Sequence, residues 1–370
     1  MKSAMSVALF FLFPGFIMVF VLNAPLLSKR EYRAGTHAIY DMDDKPIYLQ
    51  QRVQKGMVFA PVAEHFITAD NSADHLIALA AYIKQAAAQN MLGKIFPDLP
   101  YRQEAFTSEV NHQPVGVEQT LLLQPDMVLL YDHQAGPFEA AGFNGLARIV
   151  SPVRKHYQKI FKMFGYLTGK TQRTQDIFLR KQVLLEKLFA SIPSPKDMSP
   201  VTMLTLSHER LHLFPSLFED YNINLKLLNA VNLAEKTVAQ GAVNTEALLK
   251  LNPDVIFLYN YRNQLTVQDI YNNRALAGLS AVRNKRVYRM PNGASRMTGP
   301  VEEPLLFYWM SQLLHPEAMP IVPFRQLVKD TYSEIFGYMP TEADVDYVLS
   351  IHENQFSAYY DKFAACGVGI

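Results

Sequence analysis

Residues 118 to 131 read EQTLLLQPDMVLLY, and residues 246 to 259 read EALLKLNPDVIFLY. The two stretches begin 128 residues apart and agree at seven of fourteen positions, with most of the others apolar for apolar. The chain therefore carries an internal duplication. Each copy follows a residue suited to capping a helix, Gly116 or Asn244, and its leucines recur three or four apart, the spacing of one helical face. Each copy then meets a proline, Pro125 or Pro253. The residue before a proline is pushed out of the right-handed helical region, so Gln124 and Asn252 must turn. The apolar runs Met127 to Tyr131 and Val255 to Tyr259 then become buried parallel strands. One helix, turn and strand in each half predicts two similar α/β lobes with a cleft between them, and Glu118 and Glu246 fall at matching places on the two.

A chain of 370 residues is the length of about two domains. Its 35 basic residues against 34 acidic ones give no sign of a nucleic-acid surface or of a strongly anionic partner, and no nucleic-acid partner is expected. The single cysteine, Cys366, excludes an internal disulfide and any cysteine-based metal site. At the start, Lys2 precedes an apolar run from Ala4 to Leu22, and Lys29, Arg30 and Glu31 follow it. This reads as a secretory signal over residues 1–24 or, if it is not cleaved, as an N-terminal anchor.

Taken in order, His37 to Asp41 and Lys45 to Leu49 flank the polar turn Met42, Asp43 and Asp44, the pattern of a hairpin. Val53 to Ala60 reads as a strand. Asp70 to Ala88 is alanine-rich, with Asn71 or Ser72 as a cap and Leu76, Leu79, Ala80 and Ile83 on one stripe, which predicts a helix. Beyond the first duplicated unit come a loop at 132–136, a short helix at 138–142 and a strand at 146–150. Strands alternating with helices argue for parallel sheets covered on both faces. From Pro152 to Ile192 there is no strand signal, and Thr171 to Ser191 predicts the longest helix, ended by Pro193, Pro195 and Pro200. The lobes then fall at 35–151 and 197–370, joined by a connecting region at 152–196. Strands are expected at 201–206 and 286–290, with a helical tail from Pro300 that places Trp309 on an apolar stripe.

DMDDKPIYLQQRVQKGMVFAP from Asp41, GVEQTLLLQPDMVLL from Gly116, NTEALLKLNPDVIFL from Asn244, LSAVRNKRVYRMPNG from Leu279 and FYWMSQLLHPE from Phe307 occur in that order. The series resembles the substrate-binding proteins of ABC importers that carry iron siderophores, haem, cobalamin and related metal chelates. The resemblance implies two α/β lobes joined by one long helix, a periplasmic location, a chelate of siderophore, haem or corrinoid type held in the cleft, no cofactor and no catalysis. It implies that Glu118 and Glu246 dock on the two halves of a dimeric permease. Many members carry Ser-Pro-Arg before the final long helix, the arginine facing the ligand. Here Glu303, Pro304 and Leu305 stand in that place, and Arg296 is the candidate substitute.

The residues leaving the ends of the two duplicated strands, Tyr131, Asp132 and His133 and then Tyr259, Asn260, Tyr261 and Arg262, lie where open α/β sheets bind ligands. Phenols, imidazole and guanidinium can stack on a chelate, hydrogen-bond its carboxylates or fill an open coordination position. His208, Glu209 and His212 spell HERLH, the H-E-x-x-H pattern of zinc proteases, and offer a competing zinc hydrolase. That pattern needs one helical face, whereas TMLTLSHERLHLF alternates like a strand, so His208 is read as a ligand-facing strand-end residue. Gly165 to Thr171, GYLTGKT, is one residue short of a phosphate-binding loop and follows a helical segment. A membrane-tethered sensor with the same fold is the third reading, tied to an uncleaved N-terminus.

Overall fold

A computed structural model describes residues 37–49, 51–58, 62–105, 116–150, 156–192, 200–207, 212–213, 222–236, 243–259, 265–294, 297, 299–320 and 322–365. The predicted signal or anchor at 1–24 lies outside the described residues. Among those described, no helix is long and apolar enough to cross a membrane.

The chain opens with the expected hairpin, β1 (His37–Tyr40) and β2 (Pro46–Leu49), antiparallel about a turn in which Asp41 accepts hydrogen bonds from the amides of Asp43 and Lys45. The first large sheet follows, with β3 (Gly56–Val58), β4 (Leu76–Ala80), β5 (Glu104–Ala105), β6 (Met127–Tyr131) and β7 (Leu146–Ile149). Its order is β5-β4-β3-β6-β7, all parallel. Between these strands run α1 (Ala63–Asp70), α2 (Ala81–Gln89), α3 (Met91–Ile95), α4 (Val117–Leu122) and α5 (Gly136–Ala140).

Two helices come next, α6 (Tyr157–Thr168) and α7 (Thr171–Ser191), the latter as long as predicted. The glycine-rich stretch between them makes no phosphate cradle: Gly165 lies inside α6, and Gly169 takes the left-handed cap at φ 78° that an L side chain resists. The second large sheet holds β8 (Val201–Ser207), β9 (His212–Leu213), β10 (Ala230–Asn232), β11 (Val255–Leu258) and β12 (Val287–Arg289). Its parallel order is β10-β8-β11-β12, with β9 antiparallel on β8. Its helices are α8 (Asn222–Leu227), α9 (Thr245–Leu251), α10 (Val267–Asn272) and α11 (Ser280–Arg283). The tail is α12 (Glu303–Leu314), α13 (Phe324–Phe336), α14 (Glu342–Val348) and α15 (Ile351–Asn354).

One expectation is corrected. The alanine-rich segment 70–88 is not one helix: α1 ends at Asn71, which turns left-handed at φ 59°, and Leu76–Ala80 is a strand before α2 begins. LIALA lies between β3 and β5, buried on both faces, and that burial overrides the helical preference of its alanines. The strand expected at 53–60 is confined to Gly56–Val58 within the described residues.

The duplication survives down to single hydrogen bonds. Gln124 and Asn252 both sit at positive φ, 52° and 42°, and Asn244 caps α9 by accepting from the Ala247 amide at 2.8 Å. Asp126 accepts from the amides of Gln54 and Lys55 at 2.7 and 3.0 Å; Asp254 accepts from the amide and hydroxyl of Thr202 at 3.0 and 2.7 Å. In each half the aspartate that opens the duplicated strand thus anchors the start of the strand beside it.

Alternate residues of the duplicated strands face two layers. Val128 and Leu130 pack outward with Phe138, and Ile256 and Leu258 pack outward with Leu248 and Ile270. Met127 and Leu129 of one sheet and Val255 and Phe257 of the other face a single shared core with Phe161, Phe164, Ile177, Leu188 and the fully buried Trp309. Helix α7 is held to the tail by Lys181 on Glu303 at 2.6 Å and Arg180 on Glu334 at 2.6 Å. A second tie joins α3 to α14, where Lys94 meets the buried Asp344 beside the edge-to-face pair Phe96 and Phe336.

Two outcomes follow from this packing. Asp126→Asn and Asp254→Asn should each lower the unfolding free energy by about 2 kcal/mol, because each weakens two charge-assisted hydrogen bonds at a strand start; urea titration measures it, and a large effect from only one of them would break the equivalence. Burial raises the Asp344 carboxyl, but Lys94, the Thr341 amide and Tyr338 more than offset it and hold the group well below the usual carboxylate range. A depressed carboxyl stabilises the fold above its unfolded value of about 4 and yields that contribution as pH falls toward the folded value. Cooling of the thermal midpoint between about pH 5 and pH 2 should therefore be smaller in Asp344→Asn than in the unchanged protein.

Candidate functional site

In both sheets the first strand in sequence lies between two later parallel strands, β3 between β4 and β6, and β8 between β10 and β11. Connections leave the carboxyl ends of such neighbours in opposite directions, which opens a crevice at the strand ends. Tyr131 and Tyr259 stand at these ends in two separate sheets.

At the first crevice the chain leaves β6 through a tight turn at Asp132–Gln134. The turn is fixed by Gln134, whose side-chain oxygen accepts from the Tyr131 amide at 3.1 Å. His133 stacks on Tyr131 with ring centroids 5.5 Å apart and planes 17° from parallel, and its imidazole is exposed while the phenol is half-buried. Beneath lies a charge network. Arg148 of β7, 8% exposed in its side chain, pairs with the buried Asp41 at 2.9 Å and with Glu139 at 2.5 Å, and its Nε lies 3.9 Å from Asp132. Lys45 reaches Asp132 at 3.4 Å and Asp43 at 2.9 Å, and Lys159 reaches Asp44 at 2.8 Å. The hairpin is thereby pinned to the turn that carries His133. Among the described residues three cations here face five carboxylates, an acidic balance.

At the second crevice Tyr259 is 3% exposed, its amide donating to Leu206 at 2.8 Å and its ring lying in the shared core. Of the two strand-end tyrosines, Tyr131 is the accessible one. Tyr261, Arg262, His208 and Arg296 lie outside the described residues. His212 is described by its backbone and stands in β9 opposite Ser207, an extended position, whereas the H-E-x-x-H reading needs it on a helix. Among the described residues no three His, Cys, Asp or Glu side chains converge as a metal site.

Glu118 and Glu246 occupy the first turns of α4 and α9, both exposed and neither ion-paired with a described residue. Their helices cover the outward faces of the two sheets, on the side away from the shared core. Glu303, where many relatives of the resembled family have the serine of Ser-Pro-Arg, is turned to Lys181 of α7.

Sequence reading passed over Arg148, Asp41 and Glu302. Their signal was present: a charge set inside an apolar strand or at its end must be buried with a partner of opposite sign. Glu302, with no exposed surface, accepts from the Ala294 amide at 2.7 Å and from the Tyr332 hydroxyl, and it fills the space above Gly293, where an added Cβ would come within 2.6 Å of its Oε1. It holds the start of the segment in which Arg296 lies. Burial, with the Glu302 charge beside it, pushes the Tyr332 phenol well above its usual range and keeps it a donor.

Comparison with known proteins fits this arrangement. The profile of a periplasmic binding protein family matches residues 96–294, which include both duplicated units. The molybdate-binding protein MolA of Haemophilus influenzae is 29% identical over 119 residues, 31% of this chain and 34% of that protein, so the chain matches about a third of this curated relative's length. A periplasmic solute binding protein of Veillonella parvula superposes with TM-score 0.75 at 20% identity, covering 86% of this chain and 98% of its own. The structure of MolA bound to molybdate superposes at 0.65 and 16% identity, covering 82% and 99%. Helicobacter pylori CeuE with Ni(II) bound superposes at 0.65 and 19% identity, covering 85% and 99%.

Tyr332→Phe removes a donor from a carboxylate that has no contact with water. The expected loss is about 1 to 3 kcal/mol of unfolding free energy, read by urea denaturation, and an unchanged midpoint would show that Glu302 does not depend on that hydroxyl.

Proposed function

A chain matched by that profile over more than half its length belongs to the periplasmic binding protein family. On this premise we propose that it is the periplasmic substrate-binding component of an ABC importer, which captures a metal chelate of iron-siderophore type and delivers it to a permease dimer. The observation that carries the reading is the family match across both duplicated units, whose strands end in two separate sheets. Binding and release are the whole of the mechanism. The half-buried Tyr131 and exposed His133 offer a stacking surface and an imidazole to the chelate on one side. His208, Tyr261, Arg262 and Arg296 supply the other polar contacts. The core shared by both sheets resists large rearrangement, which supports a modest closure and a small entropic cost of binding. Glu118 and Glu246, unpaired with any described residue and carried on matched outer helices, are the docking groups.

A second reading is an oxyanion cargo, favoured by the sequence similarity to a molybdate-binding protein. The acidic first strand end argues against it, because a small dianion there meets Asp132 and Glu139 before any free cation among the described residues.

Trp309 is sealed in the core, so calorimetry is a better probe of binding than its fluorescence. Titration against a ferric hydroxamate, haem, a corrinoid, a nickel chelate and molybdate is expected to give binding of a chelate and none of molybdate; molybdate alone would overturn the cargo. Glu118→Ala with Glu246→Ala should abolish uptake of the bound chelate and leave its affinity unchanged. Normal uptake in that double variant would remove the docking role.

A further inference from the structure

The duplication visible in sequence stops at Tyr131 and Tyr259, yet the structure carries it one strand further. Strand β7 lies beside β6, and β12 beside β11, in the same parallel register. Arg148 is the Cα partner of Leu130 and Arg289 that of Leu258, two leucines at equivalent places in the repeat. Their neighbours agree. Leu146 and Val287 pack in the outward clusters, and Ala147 and Tyr288 in the shared core. Arg148 and Arg289 are therefore structural equivalents, although they lie 141 residues apart and the units 128, which hides the relation from any fixed-offset comparison.

Each arginine reaches described residues that follow the duplicated strand of its own sheet. Arg148 lies under the turn at 132–134, with Asp41 and Glu139 on its two Nη atoms and Nε turned to Asp132 at 3.9 Å without a hydrogen bond. Arg289 donates from Nη1 to the carbonyl of Leu265 at 3.2 Å, at the point where the chain returns from residues 260–264. The Arg289 backbone is itself clamped, its amide donating to Asn354 Oδ1 at 2.7 Å and its carbonyl accepting from Asn354 Nδ2 at 2.9 Å. A guanidinium suits this task because its rigid fork fixes two or three acceptors in one plane, which an ammonium does not.

We propose that Arg148 and Arg289 are a matched pair of positioning residues, Arg148 setting the turn at 132–134 that carries the ligand-contacting His133, and Arg289 setting the chain at Leu265 in the other lobe. The ligand-contacting part of this statement rests on the functional reading above. The positioning part does not.

Hydrogen–deuterium exchange on the full chain without ligand separates the two. Arg148→Lys should speed exchange at residues 131–136 and leave 265–267 unchanged, and Arg289→Lys should do the reverse. Because uncovering Asp41 risks the fold, Asp132→Asn serves as a second variant that touches only an exposed partner; it should loosen 131–136 with no change in the thermal midpoint. Exchange that is unaltered in all three variants, or that rises uniformly with a lowered midpoint, overturns the proposal in favour of a merely structural role. Calorimetric titration with a ferric hydroxamate should weaken about tenfold in Arg148→Lys, the usual scale for a group that orients a ligand-contacting one. If the unchanged protein binds no ferric hydroxamate, the cargo reading fails and exchange alone decides the inference.

Discussion

A parallel strand with no wet face must be covered by helices on both sides, and in this chain that requirement arises twice from one repeated fragment. Met127 to Leu130 and Val255 to Leu258 each present alternate side chains to two apolar layers. The outward layers are separate, but the inward ones merge around α6, α7 and α12 into one core sealed by Trp309. Everything else in the architecture adapts to that merger. The long helix carries cations, Arg180 and Lys181, toward the tail, and the tail reaches back to α3 through Asp344. Two lobes built this way are joined by packing as well as by chain.

The same constraint explains where chemistry can occur. With both faces of each sheet occupied, the carboxyl ends of the strands are the places left for polar groups to meet a ligand, and the topological reversal opens a crevice there. The first of these ends is furnished by a stacked tyrosine and histidine over a network of buried and half-buried ion pairs. Such a network adds little net stability, but it fixes geometry, because removing one partner leaves a buried charge exposed to no water. The pseudo-symmetric Arg289 donates to a backbone carbonyl instead, so the two arginines share a place in the repeat and differ in the partner they hold.

How much of this was legible in the sequence depended on whether local chemistry and tertiary context agreed. The hairpin, the two helix-turn-strand units and the full extent of α7 were readable because turn residues, prolines and periodicity all pointed one way. Residues 70–88 misled because alanine favours helix on its own, whereas Leu76 to Ala80 is extended by its place between two strands that are distant in sequence or separated by helices. Tyr131 and His133 were singled out from their position after a strand and lie at that strand end with accessible surface, whereas Tyr259, singled out in the same way, is buried in the core. Nothing local distinguishes the two tyrosines; only the packing of the inner layer does. Arg148 and Arg289 were invisible as a pair because their equivalence is a matter of register, which no spacing encodes.

The central claim is that one ligand is clasped across the seam between two copies of the same unit. A crystal structure of the protein with its bound chelate tests this most directly. The account predicts contacts from Tyr131 or His133 on one side and from residues 260–264 on the other in the same molecule. A ligand held by one lobe alone, or bound away from the strand ends, would contradict it.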